Sequence, residues 1–259
     1  MDQLKNAAYQ LAVQNSHQTV HLVNGAYQSG NDPASADYVS VTLTEPIAFG
    51  DLNGDGVSDA AVLLAENYGG TGVFVSVIAM LNQNGLAVQA ASELVDDRPI
   101  LNSITIQDGQ IILDATVHGP NDPGCCAAQP NKRVYRYEAD RLVITSLSIT
   151  TPDQRERTIT IDSPSEGVDV SWPLVVTGHI TIAPFENNLI YSVYDMNHKQ
   201  IAVGPLVVNA DQPGGPGSFS LPLDLSNSSA TGPVRIQVED SSAADGTILA
   251  LATVKVNIK

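Results

Sequence analysis

The stretch GDLNGDGVSD, which begins at Gly50, carries the oxygen-bearing side chains with the clearest chemical spacing in the chain. Calcium binds about six to eight oxygens at about 2.3–2.6 Å, and a tight loop can supply them from side chains at positions 1, 3, 5 and 9 and from the carbonyl at position 7. The residues counted from Asp51 have the required types, and the glycine at position 6 permits a sharp turn. The sequence therefore predicts a calcium site whose ligands are Asp51, Asn53, Asp55, Val57 and Asp59.

Position 12 of this loop is Val62, where an EF-hand has a bidentate glutamate, and the following DAAVLLAE has the composition of a strand. The loop is therefore not an EF-hand. Three carboxylates within nine residues repel one another unless a cation neutralises them, which favours calcium binding over an empty turn. A structural ion is the favoured use, and a calcium that bridges to a ligand or responds to calcium concentration is the alternative.

The loop resembles the calcium hairpin of FG-GAP repeats in integrin-type propellers, which also have a Phe-Gly pair before the acidic residues, here Phe49-Gly50. A propeller needs several blades, and the sequence has no second copy of D-x-[DN]-x-D-G. The resemblance therefore implies one calcium loop within a compact β-domain.

Hydrophobic periodicity indicates strands in most of the chain. A short helix is predicted at residues 2–12, where Leu4, Ala8 and Leu11 recur at helical spacing. Extended segments separated by Gly, Asn and Asp clusters follow, and NQNG and QDGQ have the composition of tight hairpin turns. The segment QIILDATV alternates apolar and polar residues, whereas GVFVSVIAML is apolar on both faces and is predicted to be a central, fully covered strand.

The length of 259 residues exceeds a usual single domain of roughly 100–150 residues, so two domains are predicted. Periodicity is lost at ITTPDQRERT, residues 149–158, which we predict to be the linker. Residues 1–150 are predicted to form a β-rich domain with a short helix and the calcium-type loop, and residues 157–259 an immunoglobulin-like sandwich of seven short strands. The predicted fold class is all-β.

The second half, over about residues 157–259, resembles the bacterial spore-germination immunoglobulin-like domain. The shared pattern is a start of the type I-x-SP-x-x-G, a P-x-x-V-x-G strand, an F-E pair, a G-x-F strand and a [DE]-x-S-x-x-D-G turn. Here these elements stand as IDSPSEG, PLVVTG, FE, GSF and DSSAADG. The resemblance implies the fold and an extracytoplasmic setting, and it implies no reaction because the domain is attached to varied partners.

The first half is similar to N-terminal regions of uncharacterised secreted bacterial lipoproteins, which share LKNAxY, the GDLNGDGxxDAAV loop and HGPND followed by paired cysteines. Met1 is followed by DQLKNAAYQL, without the basic and apolar segments of a signal peptide. The many Thr, Asn, Gly and Ser residues are nonetheless typical of an exported protein. We therefore expect an extracytoplasmic protein, secreted or held at the cell surface by a lipid anchor that is present in the precursor.

Acidic residues outnumber basic ones by 28 to 12, which gives a net charge of −16. This field repels phosphate backbones and anionic lipids, so nucleic acid and direct membrane-surface partners are excluded. No apolar run approaches the ~20 residues that span a bilayer, so no transmembrane segment is predicted. Cations and basic partners fit the charge better, and the expected partner is an unknown protein or glycan at the cell envelope.

Motifs of nucleophilic, zinc-dependent or phosphate-transferring enzymes are missing from the sequence, which predicts a protein that is not an enzyme. His17 and His21 are too weak a pair to predict a zinc site. The carboxylate pairs Asp96-Asp97 and Glu239-Asp240 are interpreted as solvated turns, because a chain this acidic produces such pairs by chance.

Cys125 and Cys126 are the only cysteines, and because they are adjacent they cannot bridge distant strands. They either stay reduced or close a small ring, and in both cases we expect them to fix a loop rather than to bind metal or do redox chemistry. Tyr135 and Tyr137 alternate along a strand, which is typical of half-buried packing; an exposed strip that stacks on carbohydrate is the alternative.

The function predicted from these observations is that of an envelope-associated binding or scaffold protein that calcium stabilises. One alternative is an envelope hydrolase that acts on glycan or peptide, which requires a deep pocket lined by a histidine or two carboxylates near the calcium loop. A sporulation or germination component is the other alternative, suggested by the family that the second half resembles.

Overall fold

The computed structural model describes residues 1–13, 18–227 and 231–259, so His17 lies outside the described residues. The chain divides into two compact units, Met1–Ile144 and Thr145–Lys259, with the division shortly before the domain end predicted from the sequence. The division falls within the strand Arg141–Thr150, which contributes residues to both units.

The first unit is built almost entirely from antiparallel strands. Its elements are α1 (Asp2–Lys5), β1 (Ala8–Gln10), β2 (Thr19–His21), β3 (Ala26–Ser29), β4 (Val39–Gly50), β5 (Asp59–Asn67), β6 (Phe74–Gln83), β7 (Leu86–Asp97), β8 (Ile100–Gln107), β9 (Gln110–Val117), β10 (Gln129–Glu138) and the beginning of β11 (Arg141–Thr150). Strands β3 to β7 form a five-stranded sheet in sequence order. The described residues contain no helix long and apolar enough to cross a membrane.

The five-stranded sheet is the middle layer of the first unit. One face packs against β8, β9 and β10 through a core that includes Leu63, Val77 and Leu113. The other face is covered by the N-terminal residues and the pair β1–β2. The predicted central strand, GVFVSVIAML, is confirmed in β6, because a strand between two layers must be apolar on both faces.

The predicted N-terminal helix is wrong beyond its first turn, since α1 ends at Lys5 and residues 8–10 form β1. Tyr9 and Leu11 are buried against the five-stranded sheet while Gln10 is exposed, which is the period of a strand. A helix this short has little intrinsic stability, so pairing of β1 with β2 and burial of Tyr9 decide the conformation.

Both predicted hairpin turns are confirmed. Asn84 and Gly85 join β6 to β7, and Asp108 and Gly109 join β8 to β9, all four with positive φ. This conformation gives a two-residue loop the twist that antiparallel strands require. The first of these turns lies beside the acidic loop, because residues of both line one hollow.

The second unit is a sandwich of two sheets, which confirms the all-β fold class. Its elements after β11 are β12 (Glu156–Arg157), β13 (Ile159–Ser163), β14 (Asp169–Val170), β15 (Leu174–Ile180), β16 (Asn188–Tyr194), β17 (Gln200–Ala210), β18 (Gly217–Leu223), β19 (Gly232–Ser241) and β20 (Ile248–Ile258). One sheet contains β13, β15 and β18, and the other contains β16, β19 and β20. Strand β17 pairs first with β16 and then, from Val208 onward, with β18.

Alternate residues of the two sheets fill the core of this sandwich. Val176 and Phe219 come from one sheet, and Val193 and Ile236 from the other. The segment predicted as a linker is a tight connection in the structure, where Glu156 and Arg157 pair with the end of β11. The sequence does not indicate this pairing, because charged residues and a proline give the segment the composition of a loop while the ladder itself joins backbone groups.

Candidate functional site

The acidic loop connects the end of β4 at Gly50 to the start of β5 at Asp59. Two glycines of the loop, Gly54 and Gly56, have φ of 82° and 81°, a conformation that side-chain-bearing residues rarely adopt. The side chains of Asp51, Asn53 and Asp55 therefore occupy a single tight turn. The sequence spacing predicts this arrangement because it alternates polar side chains with flexible positions.

Asp51 is the centre of the turn. Its Oδ1 accepts hydrogen bonds from the amides of Asn53 at 3.2 Å and Gly54 at 2.7 Å, and its Oδ2 accepts one from Gly56 at 2.8 Å. These donors, that of Gly56 above all, hold the pKa of the Asp51 carboxyl below its usual range. Asp51 is therefore charged over the whole physiological range of pH.

Asn53 and Asp55 continue the same pattern. Asn53 Oδ1 accepts from the Asp55 amide at 3.0 Å, and Asp55 Oδ1 accepts from the Val57 amide at 2.7 Å. The Asn53 side-chain amide also donates to Asp55 Oδ2 at 3.0 Å. Each side chain thus fixes the backbone two residues further on, so the oxygens of the loop lie close together on a rigid turn.

Asp59 differs from the other acidic residues because its side chain is buried, with 2% of the residue exposed. One carboxylate oxygen accepts from the Leu52 amide and the other from the Asn82 amide, both at 2.8 Å. These two bonds tie the beginning of the loop to the end of β6. The sequence predicts Asp59 as a ligand but gives no sign of this anchoring role, because Asn82 is distant in the chain.

The donor types of the loop fit a calcium ion. Calcium prefers carboxylate, amide and carbonyl oxygens, which Asp51, Asn53, Asp55 and the Val57 carbonyl provide. Ionised carboxylates have about four lone-pair sites, so the two amide bonds of Asp59 leave it able to contact a cation. Within the described ranges no three His, Cys, Asp or Glu side chains are grouped to hold a metal by themselves, so a calcium here depends on Asn53 and Val57 as well.

An open hollow of about 580 Å³ lies between the loop and the β6–β7 hairpin. One wall consists of Asn53, Asp55 and Val57, and the other includes Asn84 and Gly85. Three of the five predicted ligands therefore face a space that solvent reaches.

A separate cavity of about 300 Å³ lies beside Asp59, with Phe49, Met80 and Leu4 among its apolar lining residues. Asp2 and Asp59 are the carboxylates of its lining. The cavity is in the place where the hydrolase alternative requires a pocket, although both Asp59 oxygens are already held by backbone amides.

The opposite end of the first unit contains contacts that the sequence does not indicate. The pair Asp96-Asp97 is not a solvated turn: Asp96 Oδ2 lies 2.9 Å from His118 Nδ1, and Asp97 binds the Arg98 guanidinium at 2.7 Å. Asp97 also accepts from the Val73 amide at 2.7 Å. The interpretation as exposed turn residues is therefore wrong, because His118 and Val73 approach the pair from other segments and the adjacent Arg98 pairs with Asp97.

Cys125 and Cys126 are joined by a disulfide and are exposed. Their loop is fixed by Asp122, whose Oδ2 accepts from the amides of Gly119 and Ala128 at 2.8 Å each, and by the bond from Arg98 to the Gly124 carbonyl. Of the two tyrosines predicted to be packed, Tyr135 is fully buried and Tyr137 half-buried, which confirms that prediction.

The interpretation of Glu239-Asp240 as a solvated turn is also wrong. Asp240 lies in β19 with 3% of the residue exposed, and its carboxylate contacts Arg157 Nε at 3.1 Å. Burial raises the pKa of Asp240 to about 6, although the Arg157 charge acts in the opposite direction.

This burial predicts a pH dependence of stability. A raised pKa means that the folded state binds the proton more tightly, so stability from this group is present below about pH 4 and is lost as pH rises to about 6. Relative to the wild type, the Asp240→Asn variant should gain about 2 kcal/mol in unfolding free energy between pH 4 and pH 7. Urea denaturation across this range measures the difference. The control is Asp211→Asn, which removes the same charge from an exposed side chain and should show no such gain. Parallel pH profiles for Asp240→Asn and the wild type would contradict the prediction.

Most elements of the family pattern in the second half have a structural cause. Gly167 and Gly246 have positive φ, and Gly178 leaves no room for a side chain because Phe219 lies against it. Phe185 is the exception, since it is 87% exposed.

Comparison with curated proteins finds no match to this chain. A family model does match part of it. Residues 158–247, which form most of the sandwich of the second unit, match the family Gmad2, described as the immunoglobulin-like domain of bacterial spore germination.

Proposed function

We propose that this chain is an extracytoplasmic, envelope-associated binding or scaffold protein whose first unit is stabilised by calcium. The observation that carries the proposal is the match of residues 158–247 to an immunoglobulin-like family, which suggests a germination-related or binding-scaffold role. A rigid sandwich suits such a role because it presents side chains on sheet faces and loops without any need for a reaction.

The proposed role of calcium is to neutralise the acidic loop. Asp51, Asn53, Asp55, Val57 and Asp59 would hold the ion, whose double positive charge offsets the two carboxylates of the turn, Asp51 and Asp55, and that of the adjoining Asp59. Asp51 is already charged because of its amide donors, so the folded loop does not need to lose a proton before it binds. Binding to the folded state alone raises stability by mass action.

The calcium proposal is tested by thermal unfolding of the full chain in excess calcium and in EDTA. We expect calcium to raise the unfolding free energy of the first unit by about 1–3 kcal/mol, which is the range for a site of millimolar to submillimolar affinity. Asp55→Asn should weaken this response, because it removes a charge yet keeps an oxygen that can accept from the Val57 amide.

A matched control is Asp108→Asn in the neighbouring β8–β9 turn. Asp108 has φ of 50°, which asparagine tolerates, and it is not a predicted ligand. The calcium response of this variant should equal that of the wild type. An identical melting temperature of the wild type with and without calcium would refute the calcium proposal.

The proposed location outside the cytoplasm is supported by the exposed Cys125–Cys126 disulfide, since exposed disulfides persist in oxidising compartments. A lipid anchor in the precursor is part of the same proposal, as the sequence motifs of the first half imply. Partners are proposed to be proteins or glycans of the envelope rather than nucleic acid, since the net charge is −16.

The second candidate, an envelope hydrolase, is favoured by the cavity beside Asp59. If Asp2 and Asp59 acted as an acid–base pair there, Asp2→Asn would abolish cleavage of glycan or peptide substrates by the purified chain and leave its melting temperature unchanged. A chain that cleaves neither class of substrate, or an Asp2→Asn variant that cleaves as well as the wild type, would eliminate this candidate.

A further inference from the structure

Four apolar residues lie on the outer face of β16 and β17, and an exposed phenylalanine comes shortly before β16; we call these five residues the β16–β17 strip. Its members are Phe185, Ile190, Val203, Pro205 and Val207. Four of these side chains are exposed to unusual degrees for apolar groups: Phe185 by 87%, Val207 by 73%, Val203 by 57% and Ile190 by 37%. Such clusters mark interaction sites, whereas single exposed apolar residues do not.

The strand register shows that the four strand residues share one face. Ile190 stands directly opposite Pro205, and Val203 and Val207 are its diagonal neighbours on β17. The alternate residues of the same strands, Leu189 and Leu206 among them, point into the core. Phe185 lies just before β16, at the end of the ladder where Asn188 pairs with Val207.

The exposed charges of residues 185–207 lie at opposite ends of the strip, and the half-buried Glu239 of β19 stands opposite Ile190, where it accepts from the Gln237 side-chain amide at 2.7 Å. Glu186 is exposed next to Phe185, and Lys199 is exposed in the turn between β16 and β17. Asp195, the other carboxylate of this segment, is half-buried and accepts from the amides of Asn197 and Lys199. The two ends are separated by the seven residues of β16, roughly 20 Å of strand.

A two-fold axis through the centre of such a strip places its apolar middle against itself and its negative end against the positive end of the other copy. We propose that two copies of this chain associate face to face through the β16–β17 strip in an antiparallel arrangement, with Glu186 of each copy beside Lys199 of the other. This association goes beyond the proposed binding or scaffold function and does not depend on it.

The geometry of β17 favours contact through the face over strand addition at the edge. Between Gln200 and Val207, β17 pairs with β16 alone among the described strands, which leaves one edge open. Pro205 lies in the middle of that edge and has no amide hydrogen to donate. A second β17 could therefore not form an uninterrupted ladder with it.

The test is sedimentation of the full chain at about 0.15 M salt, where a Debye length of about 8 Å limits repulsion between two acidic copies. Over concentrations up to about 0.3 mM the wild type should convert from monomer to dimer, as expected for a small interface of micromolar affinity. Val207→Asp should weaken the dimer about tenfold or more. The control Val175→Asp, at a residue 51% exposed on β15 of the other sheet, should leave the dimer unchanged.

A charge exchange tests the antiparallel arrangement separately from the apolar contact. Glu186→Lys alone and Lys199→Glu alone should each weaken the dimer, because like charges then meet across the two-fold axis. The double variant should recover the wild-type affinity. A chain that is monomeric at every concentration, or equal effects of Val207→Asp and Val175→Asp, would overturn the proposal, as would a double variant that is no better than the single ones. Circular dichroism of each variant checks that it is folded.

Discussion

Gly178→Ala is expected to destabilise the second unit by about 3 kcal/mol or more, because a methyl group has no space at this position. A Cβ placed on Gly178 would lie 2.2 Å from the Thr160 carbonyl oxygen and 2.3 Å from the Phe219 ring. The carbonyl belongs to the backbone of β13, the neighbouring strand, so a side-chain rotation cannot remove the clash. The two strands would have to separate.

The Phe219 ring explains why glycine stands at this position of β15. Gly178 and Phe219 are directly paired across β15 and β18, and the ring covers the backbone that glycine leaves open. Phe219 is itself 4% exposed and belongs to the core of the sandwich. The missing side chain is therefore what allows the ring to pack.

Chemical denaturation of the full chain measures the effect of Gly178→Ala. A suitable control is Gly124→Ala, because no atom lies within 4 Å of the position its Cβ would take. The control should change the unfolding free energy by less than about 0.5 kcal/mol. If the two variants were equally stable, the close approach of β13, β15 and Phe219 would be incorrect.

Asp59→Ala is expected to destabilise the first unit by about 2–4 kcal/mol in EDTA, with no calcium present. The reason is the two amides of Leu52 and Asn82, which donate to the buried Asp59 carboxylate and would lose their acceptor. A buried amide without a partner costs far more than the average net value of one hydrogen bond. The loop would also lose its tie to β6.

The anchoring role of Asp59 separates from calcium binding by comparison with Asp55→Ala. Asp55 is exposed, and its two donors, the Val57 backbone amide and the Asn53 side-chain amide, can bond to water in its absence, so the Asp55→Ala substitution in EDTA should cost less than about 1 kcal/mol. Thermal unfolding of both variants in EDTA and in calcium gives one unfolding free energy for each variant in each condition. The prediction requires that Asp59→Ala differ from Asp55→Ala already in EDTA, and equal stabilities there would contradict it.

Local patterns determine much of this protein because they depend only on neighbouring residues. Alternating apolar residues define the strands of both units, and the Asn-Gly and Asp-Gly pairs define their hairpins. The spacing of Asp51, Asn53 and Asp55 likewise determines a tight turn, since each side chain bonds an amide two residues ahead. The pattern in residues 158–247 is specific enough to identify an immunoglobulin-like domain.

The N-terminal helix and the carboxylate pairs show where local patterns are not sufficient. Leu4, Ala8 and Leu11 fit a helix, yet the sheet beneath them buries Tyr9 and Leu11 in a strand conformation. Asp240 looks like a turn residue in the sequence, but the edge of the sandwich encloses it beside Arg157. In both cases segments distant in the chain supply the deciding contacts.

The sequence by itself determined the strands, the hairpins, the immunoglobulin-like class of the second half and the tight turn of the acidic loop. Only the tertiary structure decided that Asp59 anchors the loop to β6, that Gly178 must be glycine, and that the apolar residues of β16 and β17 remain at the surface. The physical reason is the separation in the sequence between the residues that make each kind of contact. Hydrogen bonds between near neighbours and hydrophobic periodicity are encoded within a few residues, whereas burial depends on which distant strand arrives to cover a side chain.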